Sequence, residues 1–214
     1  MHNINVLITG VGGQGVVLAS DILCDVALAG GCDVKKTDTL GMAQRGGSVV
    51  THMRIGDVVD SPLIGEGEVD LLLSFEKLEA ARWSSYLSPN ASVIVSDQSV
   101  PPMSVNLGES VYPDDALVMR ILCHGGAKVM FVEGQRMATE LGNSKVLNVL
   151  MLGALSVLLP FDNENWKSVI TQRLPAKIVD INIKAFECGR SFMLDATSKN
   201  AACTCGSDCD GSLS

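Results

Sequence analysis

The chain has 214 residues, of which 47% are hydrophobic, 19% are charged and only 4% are aromatic. This length and composition predict one domain with an aliphatic core, a mix that suits buried parallel strands covered by helices. The net charge of −8, with no basic run along the chain, argues against nucleic acids and membranes as partners.

The expected compartment is the cytoplasm. The first strand begins almost at once, without a secretory signal pattern. The longest apolar stretch, Val146–Phe161, contains polar residues and is shorter than the roughly 18–20 residues that a membrane helix needs. Seven cysteines, an odd and scattered set, favour reducing conditions. Three of them, Cys203, Cys205 and Cys209, suggest a metal site, but no fourth Cys or His is near, and we expect no metal.

Strands and helices alternate along the chain and helices close it. Apolar β-branched runs predict strands, and 3.6-residue periodicity predicts helices. The predicted strands are 4–9, 33–36, 48–55, 69–75, 91–96 and 129–132. The predicted helices are 16–29, 76–83, 114–122, 135–141, 144–159, 164–172 and 178–193. The segment 40–47 has no clear period and is expected to be an ordered loop.

This order of elements predicts an α/β fold: a Rossmann-like, mostly parallel sheet with helices on both faces and a helical C-terminal part. Residues 1–193 would form the domain. Residues 194–214 are rich in Ser, Asn, Asp, Gly and Cys, and this composition predicts a disordered tail.

The most informative motif is Gly10-Val11-Gly12-Gly13-Gln14-Gly15, between the first strand and the first helix. In that position glycines allow a tight turn, a close approach of phosphate to the backbone, and close packing of helix on strand. The amides at the helix N-terminus would add an anion site. The alternative is a turn whose glycines serve packing alone.

An NAD site needs more than this turn. It also needs an acidic residue at the end of the second strand, which holds the ribose hydroxyls. Here Asp33 comes at the start of that strand, and Lys35 and Lys36 follow it. The lysines would suit a phosphate better than a diol, so the sequence favours a phosphate-rich ligand other than NAD.

A second candidate segment is Gln44-Arg45-Gly46-Gly47, just before the third strand. Arg45 could offer a bidentate fork to a phosphate or carboxylate, and the glycines would expose backbone amides. Alternatively, Arg45 pairs with an acid such as Asp38. His52 is more readily explained as a satisfied strand histidine than as a ligand, and Glu76 is either a ligand-edge residue or a helix-start residue.

Several spaced motifs, in this order along the chain, resemble the gamma-type domain of 2-oxoacid:ferredoxin (acceptor) oxidoreductases. The resemblance covers about residues 3–193. It rests on Gly10–Gly15, Gln44–Gly47, Ser61-Pro62-Leu63-Ile64, Gly142-Asn143-Ser144-Lys145, Asn148 and Met151-Leu152-Gly153-Ala154-Leu155. The run Met42-Ala43-Gln44, where other branches usually have Gly-Pro-Glu, is similar to the indolepyruvate (arylpyruvate) branch.

The resemblance implies the small subunit of an enzyme that decarboxylates an arylpyruvate oxidatively with coenzyme A. The products would be an acyl-CoA, carbon dioxide and reduced ferredoxin. Thiamine diphosphate and the iron–sulfur clusters would lie on a large alpha subunit, and the small subunit would be inactive alone. We expect no catalytic residue in this chain. Its expected cofactor-binding residues, with coenzyme A as ligand, are Gly10, Gly12, Gly13, Gln14, Gly15, Gln44, Arg45, Gly46 and Gly47.

Two other classes of function compete with this one. The first is a stand-alone NAD-binding Rossmann oxidoreductase, which tight binding of NAD(H) would favour. The second is a non-catalytic nucleotide-binding module, which a co-purifying thiamine-dependent subunit would argue against.

Overall fold

The computed structural model describes residues 3–40 and 46–200. In these ranges one sheet of six strands has the order β2-β3-β1-β4-β5-β6. The strands are β1 (Ile4–Val11), β2 (Asp33–Leu40), β3 (Ser48–Gly56), β4 (Val69–Ser74), β5 (Leu87–Ser96) and β6 (Lys128–Val132). Adjacent strands among β1, β4, β5 and β6 pair in parallel, and β3 is antiparallel to both β1 and β2. The predicted mostly parallel sheet is confirmed.

The strand β3 lies between β1 and β2, which therefore run in the same direction without pairing. At one end of this three-stranded part, Ile4 lies opposite Ile55, which pairs with Val34. At the other end, Gly10 lies opposite Val49, which pairs with the last residue of β2. Consequently the end of β2 and the start of β3 come to the same edge of the sheet as the glycine turn.

Helices cover both faces of the sheet, as the sequence predicts. They are α1 (Val16–Ala29), α2 (Lys77–Arg82), α3 (Met103–Asn106), α4 (Asp115–Cys123), α5 (Gly134–Glu140), α6 (Leu147–Leu155), α7 (Asn163–Arg173) and α8 (Ala176–Asn200). Strand side chains alternate between the faces. Ile8 and Leu73 belong to the cluster that contains α1, α6, α7 and α8, whereas Leu7 and Leu72 belong to the cluster that contains α2 and α4.

The helices α6 and α8 cross with their backbones in contact. A Cβ added to Gly153 would lie 2.0 Å from the carbonyl oxygen of Phe186, and one added to Gly189 would lie 1.9 Å from that of Leu150. All of α6 is buried. The Gly153 motif noted in the sequence thus brings the C-terminal helix onto the core.

Some elements differ from the sequence-based predictions. β2 continues to Leu40, because it pairs with β3 along its whole length. The predicted helix 144–159 consists of α6 flanked by two 3-10 turns. The last helix continues to Asn200, beyond the predicted domain end at 193, because a helix that is already nucleated extends at little cost through polar residues. Residues 201–214 lie outside the described ranges, and the predicted disorder there stays a prediction.

Candidate functional site

The glycine turn lies where the chain connections diverge at the carboxyl edge of the sheet. β1 and β4 are parallel neighbours, and Thr9 pairs with Ser74 at their ends. From β1 the chain enters α1 on one face, and from β4 it enters α2 on the other. Open α/β sheets bind their ligands in the crevice at such a switch point.

Three glycines of the turn have different physical roles. At Gly10 a Cβ would lie 2.8 Å from Oε1 of Gln14 and 2.9 Å from Val16, so its small size permits close packing. At Gly15 the backbone is left-handed (φ +82°), and a Cβ would lie 2.5 Å from Nδ2 of Asn148. Gly13 is also at positive φ, +104°, and no described atom lies within 4 Å of its Cβ position.

The start of α1 offers free backbone amides. Gly15 is the N-cap, and it gives no side-chain hydrogen bond to the helix. The first helical bond runs from the Ala19 amide to the Gly15 carbonyl, at 2.9 Å. The preceding amides have no intrahelical acceptor, and they lie at the positive end of the helix dipole. The open side of the turn at Gly13 can therefore accept an anion.

The second candidate segment meets the glycine turn directly. The Gly12 amide donates to the Gly47 carbonyl at 2.8 Å, and the Gly46 amide donates to the Gly12 carbonyl at 3.5 Å. Gly46 is at φ +80°, with no described atom within 4 Å of its Cβ position. The structure therefore brings three of the nine predicted binding residues, Gly12, Gly46 and Gly47, into direct contact.

The other two residues of that segment, Gln44 and Arg45, lie outside the described residues, and their roles stay predictions. Asp38, the alternative partner of Arg45, already has contacts for both carboxylate oxygens. One accepts from Nζ of Lys36 at 3.0 Å, and the other accepts from Oγ1 of Thr51 at 2.5 Å.

The Gln14 side chain points into the protein. Its Oε1 accepts from the Val11 amide at 2.6 Å. Its Nε2 donates to the Phe75 carbonyl at 3.1 Å and to Oε1 of Gln98 at 2.7 Å. Gln14 thus joins the turn to the connections that follow β4 and β5.

Sequence reasoning missed the residues that follow β5. Gln98 contacts Gln14, and its carbonyl oxygen accepts from the Lys77 amide at 3.2 Å. One oxygen of the neighbouring Asp97 side chain is buried without a hydrogen-bond donor among the described residues. The position of Asp97 and Gln98 in the sequence could have indicated them, because residues that directly follow parallel strands commonly contact ligands.

The two lysines of β2 are paired with aspartates. Nζ of Lys36 lies 2.6 Å from Asp21 and 3.0 Å from Asp38. Lys35 pairs with Asp33 at 2.8 Å. Asp33 is paired in register with Gly56, at the end of the sheet away from the glycine turn. The eight residues of β2 span roughly 23 Å from one end of the strand to the other. Asp33 is therefore too far from the glycine turn to bind a ribose held there.

Glu76 is a buried capping residue. Its carboxylate accepts from the Glu79 amide at 2.9 Å, from the Val100 amide at 3.0 Å and from the Tyr112 hydroxyl. Burial and this hydrogen bond raise the pKa of Tyr112. The helix-start explanation of Glu76 is therefore sufficient, and the residue also anchors the segment after β5.

His52 is a satisfied strand histidine. Its Nδ1 accepts from the Ile64 amide at 3.3 Å, and its ring packs edge-on against Trp83 and Tyr86. Burial, assisted by the Arg54 charge, lowers the pKa of His52. A neutral, hydrogen-bonded ring needs no ligand.

The start of β3 is held by a buried acid. Oγ of Ser48, next to Gly47, donates to the Glu79 carboxylate, which also lies 3.2 Å from Nε of Arg82. Burial raises the pKa of Glu79, although Ser48 and Arg82 oppose the shift.

Other features of the described residues lie elsewhere. A concavity of about 470 Å³ is lined by Asp25, Asn165 and Arg173, at the far end of α1. Within 3–40 and 46–200, no three His, Cys, Asp or Glu side chains form a group that could hold a metal ion. No helix of these ranges has the length and hydropathy of a membrane span. The three clustered cysteines of the tail lie outside them.

Comparisons with known proteins agree with this geometry. Residues 5–192 match the family model described as "Pyruvate ferredoxin/flavodoxin oxidoreductase". The chain is 38% identical to indolepyruvate oxidoreductase subunit IorB of Thermococcus kodakarensis, over 88% of this chain and 95% of that protein. It is 26% identical to 2-oxoglutarate synthase subunit KorC of Archaeoglobus fulgidus, over 88% and 87%.

Solved structures of low sequence identity share the fold. The gamma subunit of a keto/oxoacid ferredoxin oxidoreductase from Geobacter sulfurreducens has a TM-score of 0.67 at 22% identity, over 90% of this chain and 99% of that chain. The 2-oxoglutarate:ferredoxin oxidoreductase of Magnetococcus marinus, solved with 2-oxoglutarate, coenzyme A and succinyl-CoA bound, has a TM-score of 0.71 at 18% identity. The match covers 90% of this chain and 31% of that chain.

Proposed function

The chain belongs to the pyruvate ferredoxin/flavodoxin oxidoreductase family, and we propose that it is the small subunit of an indolepyruvate-type 2-oxoacid:ferredoxin oxidoreductase. The observation that carries this proposal is the difference in identity between branches. Over nearly the same length, identity is 38% to an indolepyruvate subunit and 26% to a 2-oxoglutarate subunit.

The reaction proposed is the oxidative decarboxylation of an arylpyruvate. The bond between the keto carbon and the carboxylate breaks and releases carbon dioxide, and the acyl group forms a thioester with coenzyme A. Two electrons pass to ferredoxin, and one proton is released. Thiamine diphosphate would stabilise the acyl carbon, iron–sulfur clusters would carry the electrons, and both would be held by a large alpha subunit.

This chain would bind and orient coenzyme A rather than perform the bond chemistry. Among the described residues, the Cβ positions of Gly13 and Gly46 are open, and the first amides of α1 next to Gly13 have no acceptor within the helix. This geometry suits a phosphate group. The two buried acids at the start of α2, Glu76 and Glu79, have internal hydrogen-bond partners. The chain therefore requires a partner for turnover, and we place the complex in the cytoplasm, where ferredoxin would be its electron acceptor.

The length of a relative supports a shared active site. The matched part is only 31% of the Magnetococcus marinus chain, and that enzyme was solved with coenzyme A bound. For the present chain, the remaining parts would come from a separate large subunit. A stand-alone NAD enzyme is not favoured, because Asp33 lies at the end of β2 away from the turn. Asp38, near the other end of β2, already accepts hydrogen bonds from Lys36 and Thr51.

Reconstitution tests the assignment. The chain would be co-expressed with a thiamine-dependent large subunit, and ferredoxin reduction would be measured with indolepyruvate, phenylpyruvate, pyruvate and 2-oxoglutarate. We expect turnover that depends on coenzyme A and is highest with the aryl substrates, and none with either subunit alone. Activity of the isolated chain with NAD, or a preference for 2-oxoglutarate, would contradict the proposal.

The role of the turn has a matched test. Gly13→Asp would add a carboxylate at the open side of the turn, where it would repel phosphate. Gly31→Asp makes the same change at a glycine with φ +81° and an open Cβ position at the other end of α1. We expect at least a tenfold loss of coenzyme A affinity, about 1.4 kcal/mol, in the Gly13 variant alone, measured by calorimetry on the complex. Equal affinities of the two variants would contradict this site.

A further inference from the structure

We infer that Gln14 and Gln98 form a positioning pair that fixes the glycine turn in its ligand-binding shape. This inference rests on the proposed function and goes beyond it, because it replaces ligand contact by Gln14 with a role inside the protein. It also assigns a function to Gln98.

The hydrogen-bonding groups of Gln14 are occupied within the protein. Its side-chain oxygen accepts from the Val11 amide, and its nitrogen donates to Phe75 and Gln98 at 3.1 and 2.7 Å. An amide nitrogen has two hydrogens, and both have acceptors here. Gln14 therefore has little capacity left to donate to a bound phosphate.

The pair connects three segments that are distant in sequence. Gln14 lies after β1, Phe75 directly after β4, and Gln98 two residues after β5. The Gln98 backbone is fixed in turn, since its carbonyl accepts from the Lys77 amide at the start of α2. Movement of the turn relative to the switch point would break these bonds.

Gly10 makes this arrangement possible. A Cβ at this position would lie 2.8 Å from the Oε1 atom of Gln14, closer than real Cβ contacts. Position 10 therefore requires glycine, because the Gln14 side chain turns inward and lies beside it. With the side chain turned inward, the Gly13 side of the turn stays open.

The consequence for binding is preorganisation. Free amides bind an anion well only if their directions are fixed before the ligand arrives, because ordering a loop on binding costs affinity. Loss of the Gln14–Gln98 bond would loosen the turn without removing any group that contacts the ligand. The pair would thus affect coenzyme A, and would not affect the 2-oxoacid bound on the partner.

The test uses the reconstituted two-subunit complex and the variants Gln98→Leu, Gln14→Leu and their combination. Gln172→Leu is the matched control, because its amide donates to Ser168 at the exposed far side of α7. The measurements are kcat, KM for coenzyme A, KM for indolepyruvate, and Tm of the complex. Gln98→Leu should raise the KM for coenzyme A about tenfold and leave kcat and the KM for indolepyruvate unchanged, with a small fall in Tm from the lost hydrogen bond.

The double variant tests the coupling. If the two side chains act as a pair, adding Gln98→Leu to Gln14→Leu should cause little further rise in the KM for coenzyme A. Additive effects would overturn the pairing. A fall in Tm with both KM values raised together would show a merely structural role and would also overturn it.

A further comparison separates failure of this inference from failure of the proposed function. If Gly13→Asp weakens coenzyme A binding but Gln98→Leu leaves its KM unchanged, the positioning role is wrong and the site stands. If neither variant affects coenzyme A, the turn is not the coenzyme site and the inference falls with it.

Discussion

Glycines in two regions of this molecule serve opposite purposes. At the α6–α8 crossing, backbone atoms of the facing helix occupy the space that a side chain at Gly153 or Gly189 would need. They lie 2.0 and 1.9 Å from the respective Cβ positions. At the carboxyl edge of the sheet, no described atom beyond the chain neighbours lies within 4 Å of the Cβ positions of Gly13 and Gly46. The first pair allows close packing, and the second borders the open space in which we propose that coenzyme A binds. A glycine's role is therefore decided by its surroundings.

The largest expected effect is at the helix crossing. Gly153→Ala would force two backbones apart, since neither the Phe186 carbonyl nor its helix can yield locally. We expect a loss of about 3 kcal/mol or more in the free energy of unfolding, measured by urea denaturation. Gly125→Ala is the control, because its Cβ position is open and its φ is not positive. A loss below about 1 kcal/mol would show that the crossing is more adaptable than its geometry indicates.

The ion pairs of Lys35 and Lys36 test whether the charges beside α1 stabilise the packed region or contribute to the open ligand site. Lys36→Met would leave Asp21 and Asp38 without their shared cation. We expect a loss of about 1–2 kcal/mol of stability, with no change in the KM for coenzyme A. Lys35→Met removes a more exposed pair, with Asp33, and should cost less than about 0.5 kcal/mol. A raised KM for coenzyme A in the Lys36 variant would show that Lys36 contributes to the ligand site.

The smallest effect is expected at the border between the regions, where Glu79 holds Ser48. Burial raises the pKa of Glu79 in the folded protein above its ordinary value of 4.5. The folded state then binds this proton more tightly than the unfolded state. The charged carboxylate consequently costs stability as the pH rises above 4.5, and the cost vanishes below it.

Glu79→Gln removes that titration. Relative to the unchanged protein, the variant should gain stability as the pH is raised from 4 to 7. Unfolding would be measured across this range, with Glu164→Gln as the control for loss of one exposed carboxylate. A stability difference that is constant with pH, or that falls as the pH rises, would contradict the buried position of this acid.

The sequence by itself determined the local features. Apolar periodicity predicted all six strands and most of the helices, because the residues that face the core follow a regular spacing along each element. It missed the short helix α3 and ended the last helix seven residues before Asn200. The glycine turn was recognisable because strand, glycines and helix are adjacent in the chain. The motif order also indicated the family, and the comparisons confirmed it.

The tertiary structure alone decided which distant groups meet. It inserted β3 between β1 and β2, which carried Asp33 away from the turn and brought Gly47 onto Gly12. It turned Gln14 inward onto Gln98, 84 positions away, and it paired Lys36 with two aspartates. The physical reason is that hydrogen bonds and ion pairs depend on distance in space. The sequence shows which hydrogen-bond donors and acceptors each segment carries. Only the packing of the segments determines which of these groups bond to each other and which remain available to a ligand.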